Sequence, residues 1–307
     1  ITEDGDIAVL SGSNQFSVSD EVIRGGVKIQ KRDLETSDTK GQGSATLKDA
    51  EFEIISLNDN AVLVEGKLYS KNEVVKTILT DIEGVASTSA DLLPYGKYRI
   101  EESKAPEGYL TNGAEPIEFE ITEDGKIVDL TGTDTSIYNQ VKRGDLEGVK
   151  IGAGTHQRLA GVTFRITSKT TGESHIIVTD DNGQFSTSAD WASHKHDTNE
   201  GKDSEDGVWF GTSEPDDTKG ALLYDTYIIE ELRCESNKGF ELIPPFEIVV
   251  SRNNVTVDLG TLTDEYEKEI SIHTTATSED GKKEIEAGKD VTIIDTVTLD
   301  GLEIGTK

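Results

Sequence analysis

The chain has 307 residues, of which 34% are hydrophobic, and its 60 acidic and 30 basic residues give a net charge of −30. A field of that sign repels phosphates, so we expect no nucleic-acid partner. The apolar content suits a folded protein rather than a disordered acidic tail, and at roughly 150 residues per domain the length predicts about two domains.

No apolar run approaches the roughly 18 residues that span a bilayer, and the opening sequence ITEDGDIAVL lacks the pattern of a signal peptide. The chain begins with Ile and contains no Met, so we expect a piece of a longer protein whose signal peptide and anchor lie outside it. Its single cysteine, Cys234, excludes an internal disulfide and a cysteine-based zinc site. We expect no membrane insertion, cofactor or metal within these residues.

An internal repeat organises most of the sequence. The segment from Asp20 to Thr36 aligns without gaps with that from Asn139 to Thr155, and Lys31 falls on Lys150. YRIEESKAPEGY likewise matches YIIEELRCESNKGF, and PIEFEITEDGKIVDL matches PFEIVVSRNNVTVDL. The sequence therefore contains copies of one unit.

These matches predict four segments. Residues 1–23 are the closing strands of a preceding copy, and residues 24–142 and 143–266 are two full copies, the second with an insert at 190–220. From 267 to 307 the sequence matches neither copy, which predicts the truncated start of a different β domain.

The predicted elements are mostly strands, because apolar residues alternate along short runs. In chain order these runs include FEI, YRI, IEFEI, TVDL and VTIIDTVTL, separated by turns such as NG, DG and NN. Short strands with closely spaced turns are typical of sandwiches or partly open barrels. We predict an all-β series of modules.

One lysine in each copy is predicted to point into the core. In the opening strand of the first copy, Val27, Ile29 and Lys31 share a face, since side chains alternate along a strand. The same parity groups Lys150 with Leu146 in the second copy. Because an isolated buried ammonium is costly, each lysine needs a partner.

Glutamates recur at one place in both copies. Glu102 follows Tyr98 by four residues, and Glu231 follows Tyr227 by four, so each glutamate shares the face of its tyrosine. Both are candidate partners for the inward lysines.

A side-chain carbonyl recurs near the end of each copy. Asn139 follows Ile137 by two residues and Asp264 follows Leu262 by two, which points each inward if the apolar residue is inward. Asp20 repeats the pattern at the end of the preceding copy.

This Lys, Glu and Asn/Asp set, with the KAPEGY loop after the Tyr-x-x-x-Glu stretch, resembles the Cna B-type (SpaA-like) domains of Gram-positive surface adhesins and pilins. The resemblance covers nearly all of residues 1–266 and implies tandem Ig-like, prealbumin-like β-sandwiches. It also implies a self-formed isopeptide bond, in which the lysine amine attacks the Asn or Asp carbonyl while the glutamate relays protons. The sets it implies are Lys31, Glu102 and Asn139 in the first copy and Lys150, Glu231 and Asp264 in the second.

Elementary chemistry supports this reading independently. A desolvated lysine loses its proton more readily, and a desolvated glutamate keeps one. Opposing strands hold the groups at contact distance, so the reaction becomes unimolecular. It occurs once per molecule, so we expect self-processing and no enzyme turnover. The alternative is a buried Lys–Glu ion pair beside a hydrogen-bonded Asn.

The second copy departs from the first at three places. Gly152 replaces Asp33, LRCESNKG replaces SKAPEG, and the segment leading to Asp264 is shorter. Asp258 and Asn254 therefore stay open as alternative acceptors.

The last segment resembles the opening of domains that join a threonine to a glutamine through an ester bond. The resemblance rests on ISIHTTAT and GKKEIEAGKDVTIIDTVTLDGL. Thr274 is the first candidate for the reacting threonine and Thr275 the second. The glutamine-bearing strand is missing, so we expect no ester in this chain. Ordinary strand threonines are the alternative.

The insert at 190–220 carries both tryptophans, Trp191 and Trp209, among many acidic residues. It is interpreted as a solvated loop anchored by the tryptophans, with a ligand surface or an ion site as alternatives. No GxSxG, HExxH or P-loop motif marks a site for an external substrate.

We therefore predict an extracellular, cell-wall-anchored stalk or adhesin segment that contacts neighbouring repeats of its own chain. The alternative is a binding module that uses the insert to hold a host matrix protein or glycan.

Overall fold

The computed structural model describes residues 20–111, 114–267, 271–284, 290 and 292–300. The protein is 47% strand and 3% helix, so the all-β prediction is confirmed. Most of the predicted closing strands at 1–23 lie outside the described residues. No helix in the described part of the chain is long and apolar enough to cross a membrane. Within the same ranges no cluster of three or more His, Cys, Asp or Glu side chains could hold a metal ion.

The first copy forms two sheets with one core between them. Its strands are β1 (Arg24–Asp33), β2 (Glu51–Ser56), β3 (Val62–Val64), β4 (Lys67–Tyr69), β5 (Val74–Leu79), β6 (Val85–Ser87), β7 (Leu93–Pro94), β8 (Gly96–Lys104), β9 (Ile117–Ile121), β10 (Ile127–Leu130) and β11 (Ile137–Asn139). One sheet has the order β10-β1-β11, with β6 and β7 on the other edge of β1, and the second has the order β5-β2-β8-β9. A small hairpin pairs β3 with β4.

The alternation of apolar residues explains this core. Val27 and Ile29 of β1 meet Phe52 and Ile54 of β2 and Ile100 of β8, and all five are fully buried. The strands β1 and β11 lie side by side in parallel although 103 residues of chain separate the end of one from the start of the other. The fold therefore brings the first and last strands of the copy together.

The second copy repeats this topology. Its strands are β12 (Arg143–Gly152), β13 (Thr163–Ser168), β14 (Ser174–Val178), β15 (Gln184–Ser186), β16 (Leu222–Leu223), β17 (Asp225–Leu232), β18 (Phe240–Glu241), β19 (Phe246–Val250) and β20 (Thr256–Tyr266). The order β14-β13-β17-β19 mirrors β5-β2-β8-β9, and β12 pairs in parallel with β20 as β1 does with β10 and β11.

Two smaller features complete the described structure. Short 3-10 helices lie at Thr133–Thr135, His194–His196 and Glu235–Asn237. Beyond the second copy, β21 (Ser271–Ser278) and β22 (Ile293–Asp300) pair as an antiparallel two-stranded sheet.

Candidate cross-linking sites

The first site lies where β1 and β11 run side by side. Lys31 sits opposite Ile137 in the parallel register, and Asn139 follows two residues later on the same face. Lys31 and Asn139 are both 0% exposed. Glu102 reaches them from β8 in the opposite sheet, and its side chain is 1% exposed. We call Lys31, Glu102 and Asn139 the first triad.

The side chains of the first triad contact one another directly. The Lys31 Nζ meets Asn139 Oδ1 and lies 3.3 Å from Glu102 Oε1. The Asn139 Nδ2 donates to Glu102 Oε2 at 2.6 Å and to the Leu110 carbonyl at 2.7 Å. Glu102 therefore touches both the amine and the amide nitrogen.

Burial shifts the proton affinities in this triad. Desolvation outweighs the attraction of Glu102 and lowers the pKa of Lys31 to about 8. Desolvation also raises the pKa of Glu102, despite the opposing effects of Lys31 and Asn139. Both shifts favour the uncharged pair, in which the amine is nucleophilic and the carboxyl group carries a proton.

The second site has the same layout with an acid as the acceptor. The Lys150 Nζ donates to Glu231 Oε2 at 2.9 Å and meets Asp264 Oδ1, and all three side chains are 0% exposed. Lys150 and Asp264 come from the paired strands β12 and β20, and Glu231 comes from β17 in the opposite sheet. We call these residues the second triad.

The two carboxyl groups of the second triad share one ammonium. Desolvation is the main cause that raises the pKa of Asp264 to about 6, with a further contribution from Glu231. In the described part of the chain, Asp264 Oδ2 has no hydrogen-bond partner. Asp264 therefore gains a proton more readily than an ordinary aspartate does.

The sequence did not reveal the groups that hold Glu231. Asn237 Nδ2 donates to Glu231 Oε1 at 2.9 Å, and the Ile243 backbone N donates to Oε2 at 3.2 Å. Asn237 is fully buried at the end of a 3-10 helix. Its only sequence signal is its place in LRCESNKG, which departs from the first copy.

An aromatic ring lies beside each glutamate. Phe52 is opposite Glu102 in the sheet, and Phe164 is opposite Glu231. Both phenylalanines are 0% exposed, and Lys150 Nζ lies 5.8 Å from the centre of the Phe164 ring. The two phenylalanines stand at matching places in the sequence, in AEFEI of the first copy and VTFRI of the second. Such rings keep water from the polar groups beside them.

The replacement of Asp33 by Gly152 also has a structural reason. Asp33 is buried and accepts a 2.8 Å hydrogen bond from the Tyr109 hydroxyl, which ties down the KAPEGY loop. At Gly152 a Cβ would come within 2.7 Å of the Phe240 ring. The second copy thus packs an aromatic ring where the first has a buried carboxylate.

The other candidate acceptors lie at the surface, whereas Lys150 is 0% exposed. Asp258 and Asn254 are exposed, and Asp258 accepts from the Gly260 backbone N at 2.7 Å. Asp20 is exposed as well. Thr274 and Thr275 are exposed on β21, opposite Val297 and Thr296 of β22.

The alternative in which the insert forms a ligand surface does not fit Trp209. Its residue exposure is 3%, because the Arg143 guanidinium lies 3.7 Å from the ring centre and His194 packs beside it. Trp191 is half-buried, and its Nε1 donates to the Ser204 carbonyl at 2.8 Å. The two tryptophans therefore form no common exposed platform.

Family comparison identifies two segments. Residues 26–136 match the family model described as a prealbumin-like fold domain, SpaA. Residues 270–307 match the model of the T-Q ester bond containing domain. The predicted resemblances are confirmed for both segments.

Solved structures give more distant matches. The Bacillus anthracis TIE protein is 18% identical over 91% of this chain, with a TM-score of 0.47. A streptococcal ancillary pilin is 19% identical over 80% of this chain, with a TM-score of 0.29. A C-terminal fragment of the pilus adhesin SpaC from Lactobacillus rhamnosus GG is 16% identical over 79% of this chain and covers 97% of its own length, with a TM-score of 0.38.

The chain spans 44% of the TIE protein and 62% of the streptococcal pilin. No curated protein matches it.

Proposed function

We propose that the chain is a structural stalk segment of a Gram-positive surface protein that cross-links itself through two isopeptide bonds. The observation that carries the proposal is the contact of each buried lysine amine with a side-chain carbonyl and with a buried glutamate. The SpaA prealbumin-like family of residues 26–136 supports it, as does the repeated topology of the second copy.

In the first triad the reaction would release ammonia. The neutral Lys31 Nζ attacks Asn139 Cγ, a new Nζ–Cγ bond forms, and the Cγ–Nδ2 bond breaks. Glu102 touches both nitrogens, so it can accept the proton that Nζ loses and supply the proton that the leaving nitrogen needs. Lysine and asparagine become an amide and ammonia, and Glu102 ends in its starting state.

In the second triad the same attack would release water. The neutral Lys150 amine attacks the protonated carboxyl group of Asp264, and one carboxyl oxygen leaves with two protons. Glu231 contacts the amine at 2.9 Å and can carry the proton between them. Asn237 and the Ile243 N–H fix the Glu231 carboxylate for this transfer.

The proposed domains keep the predicted bounds. Residues 24–142 and 143–266 are cross-linked repeats, residues 1–23 end a preceding repeat, and residues 267–307 begin an ester-bond domain. For the last segment we propose Thr274 as the reacting threonine, with Thr275 as the alternative. We place the whole protein outside the cell, attached to the wall through a part beyond these residues.

Intact-mass spectrometry of the purified chain tests the proposal. We expect a mass lower than the sequence mass by one ammonia and one water. Glu102→Ala should restore the ammonia alone and Glu231→Ala the water alone. Glu101→Ala and Glu230→Ala are matched controls, because these neighbours sit in partly exposed ion pairs with Arg99 and Arg165. An unshifted wild-type mass would leave only buried ion pairs and refute the proposal.

A further inference from the structure

A buried carboxylate joins the first copy to the second. The Glu35 side chain is 2% exposed, and its oxygens accept from Arg143 Nε at 2.9 Å and Arg143 Nη2 at 2.7 Å. The Ser213 hydroxyl and the Gln140 amide also donate to it, at 3.0 and 2.5 Å. Burial disfavours the charge, but hydrogen bonds from Arg143 and its attraction outweigh this and lower the pKa of Glu35 to about 2.

The insert of the second copy shapes the seat of Arg143. The guanidinium rests on the Trp209 ring and donates to the carbonyls of Phe210 and Ala221 at 3.0 and 3.2 Å. Lys219, also in the insert, lies 3.4 Å from Glu35. The buried guanidinium thus contacts two carbonyls and a ring of its own copy. The carboxylate that balances its charge comes from the neighbouring copy, so the burial of Arg143 depends on that copy.

The contact around this pair is close and apolar. Ala45, Tyr109 and Val141 of the first copy belong to the hydrophobic cluster of the second. The Ser44 backbone N donates to the Tyr224 carbonyl at 3.1 Å. A Cβ at Gly108 would lie 2.9 Å from the Tyr224 ring and 2.4 Å from Ala45. This contact has the features of a fixed joint rather than of a flexible linker.

Arg24 occupies the equivalent position in the first copy. Its Nη1 donates to the Leu92 carbonyl at 2.9 Å and its Nη2 to the Leu63 carbonyl at 3.0 Å. These bonds parallel those of Arg143 to Ala221 and Phe210. Arg24 is only half-buried, and within the described ranges no carboxylate lies within 4.0 Å of its guanidinium.

The surface beside Arg24 is a groove with exposed apolar side chains. A groove of about 510 Å³ is lined there by residues that include Val22, Leu63, Leu68 and Tyr95. These four residues are 58, 46, 64 and 56% exposed. In the second copy the matching end is covered by the first.

The other partner of the joint is missing from the second copy. The repeat alignment places Gly154 where the first copy has Glu35, and Gly154 has a positive φ of 76° beside the Tyr266 ring. The second copy therefore has no equivalent carboxylate to offer, and the segment after it belongs to a different family.

We propose that the arginine that opens each repeat is a docking socket for a carboxylate of the repeat in front of it, filled by Glu35 at Arg143 and, among the described residues, open at Arg24. The partner that fits Arg24 is a prealbumin-like repeat with a glutamate at the position of Glu35. The glutamate and arginine thus fix both the angle and the order of successive repeats.

Spin-label distance measurements test the filled socket. Labels at Lys71→Cys and Lys238→Cys in a Cys234→Ser chain would report across the joint. We expect one narrow distance distribution, which Glu35→Gln and Arg143→Lys broaden. Glu65→Gln, which removes an exposed partner of Lys76, should leave it narrow. A distribution that stays narrow in Glu35→Gln would overturn the socket. Intact mass separates this result from the proposed function, because the cross-links do not involve Glu35.

Arginine-selective modification tests the open socket. In the chain as it is, phenylglyoxal should modify Arg24 faster than Arg143. In a chain with residues 24–142 duplicated ahead of Arg24, the junction Lys142–Arg24 reproduces Lys142–Arg143. We expect modification of the Arg24 at this new junction to slow at least about tenfold. This is the factor expected if the closed joint is about ten times more populated than the open one. If Arg24 is modified equally slowly when the added copy carries Glu35→Gln, the carboxylate is not what fills the socket, and the proposal is refuted.

Discussion

Loss of the first cross-link should lower the stability of the first repeat by a calculable amount. The bond would join residues 108 apart in sequence. Closing a loop of that length removes about 16 cal/mol/K of entropy from the unfolded chain, or about 5 kcal/mol near 60 °C. Residues 24–142 number 119, so their unfolding entropy is roughly 250 cal/mol/K. The ratio predicts that the melting temperature falls by roughly 20 °C.

Glu102→Gln is the informative variant. It keeps a hydrogen-bonding side chain of the same size in the buried site but removes the proton relay. Lys31→Met removes the nucleophile instead and should lose the bond equally. Glu101→Gln controls for the charge change on β8, where its partner is Arg99.

Scanning calorimetry measures the effect, and intact mass identifies the chains that lack the bond. The second repeat stays cross-linked in these variants, so its transition is an internal reference. The reasoning is refuted if the first transition of an uncross-linked Glu102→Gln chain lies within about 5 °C of the wild type, since that corresponds to little more than 1 kcal/mol.

Three further predictions rest on contacts within the two repeats. First, bond formation in freshly translated chain, followed by quenched mass spectrometry, should accelerate in the first repeat as pH rises towards the Lys31 pKa of about 8. In the second it should slow above the Asp264 pKa of about 6, and identical profiles would contradict the roles assigned to them. Second, Asn237→Ala should slow only the loss of water, because it removes a donor to Glu231, and an unchanged rate would show that this donor is dispensable. Third, burial opposes the charge on His175, but the hydrogen bonds that its ring donates to Asp197 and Glu173 raise its pKa to about 9. The charged His175 therefore stabilises the fold by about 3 kcal/mol below pH 6.5, and this stabilisation is lost as pH rises through 9. The melting temperatures of wild type and His175→Asn should converge at high pH. A difference in melting temperature that does not change with pH would exclude this cause.

The sequence predicted the features that depend on strand periodicity. Side chains alternate along a strand, so the burial of Val27 and Ile29 placed Lys31 inside as well. The repeat alignment supported this prediction, because an inward lysine and a glutamate recur at matching places in the second copy. The all-β fold followed from the same alternation, and the structure confirms it. The covalent bonds at the two triads stay predictions.

Features made by loops could not be read in this way. Asn237 reaches Glu231 because a short 3-10 helix turns its amide back, and no spacing rule contains that turn. Trp209 looked like a candidate ligand surface because the residue that covers its ring, Arg143, lies 66 positions away in sequence. Nothing in the sequence distinguished Glu35 from the other acidic residues among the 60, because its partner Arg143 lies across a contact between copies.

The position of the proposed bonds explains how such a chain would bear tension. Force applied between Arg24 and Lys142 would pass along β1 to Lys31, cross to Asn139, and leave through the last few residues. The 108-residue interval between the bonded residues would then carry no load. Without the bond, extending that interval could release roughly 370 Å of chain at about 3.4 Å per residue. Glu35 lies inside the protected interval, so tension would not pull directly on the carboxylate that holds Arg143. A bond near the end of the first strand thus protects both the repeat and its joint to the next.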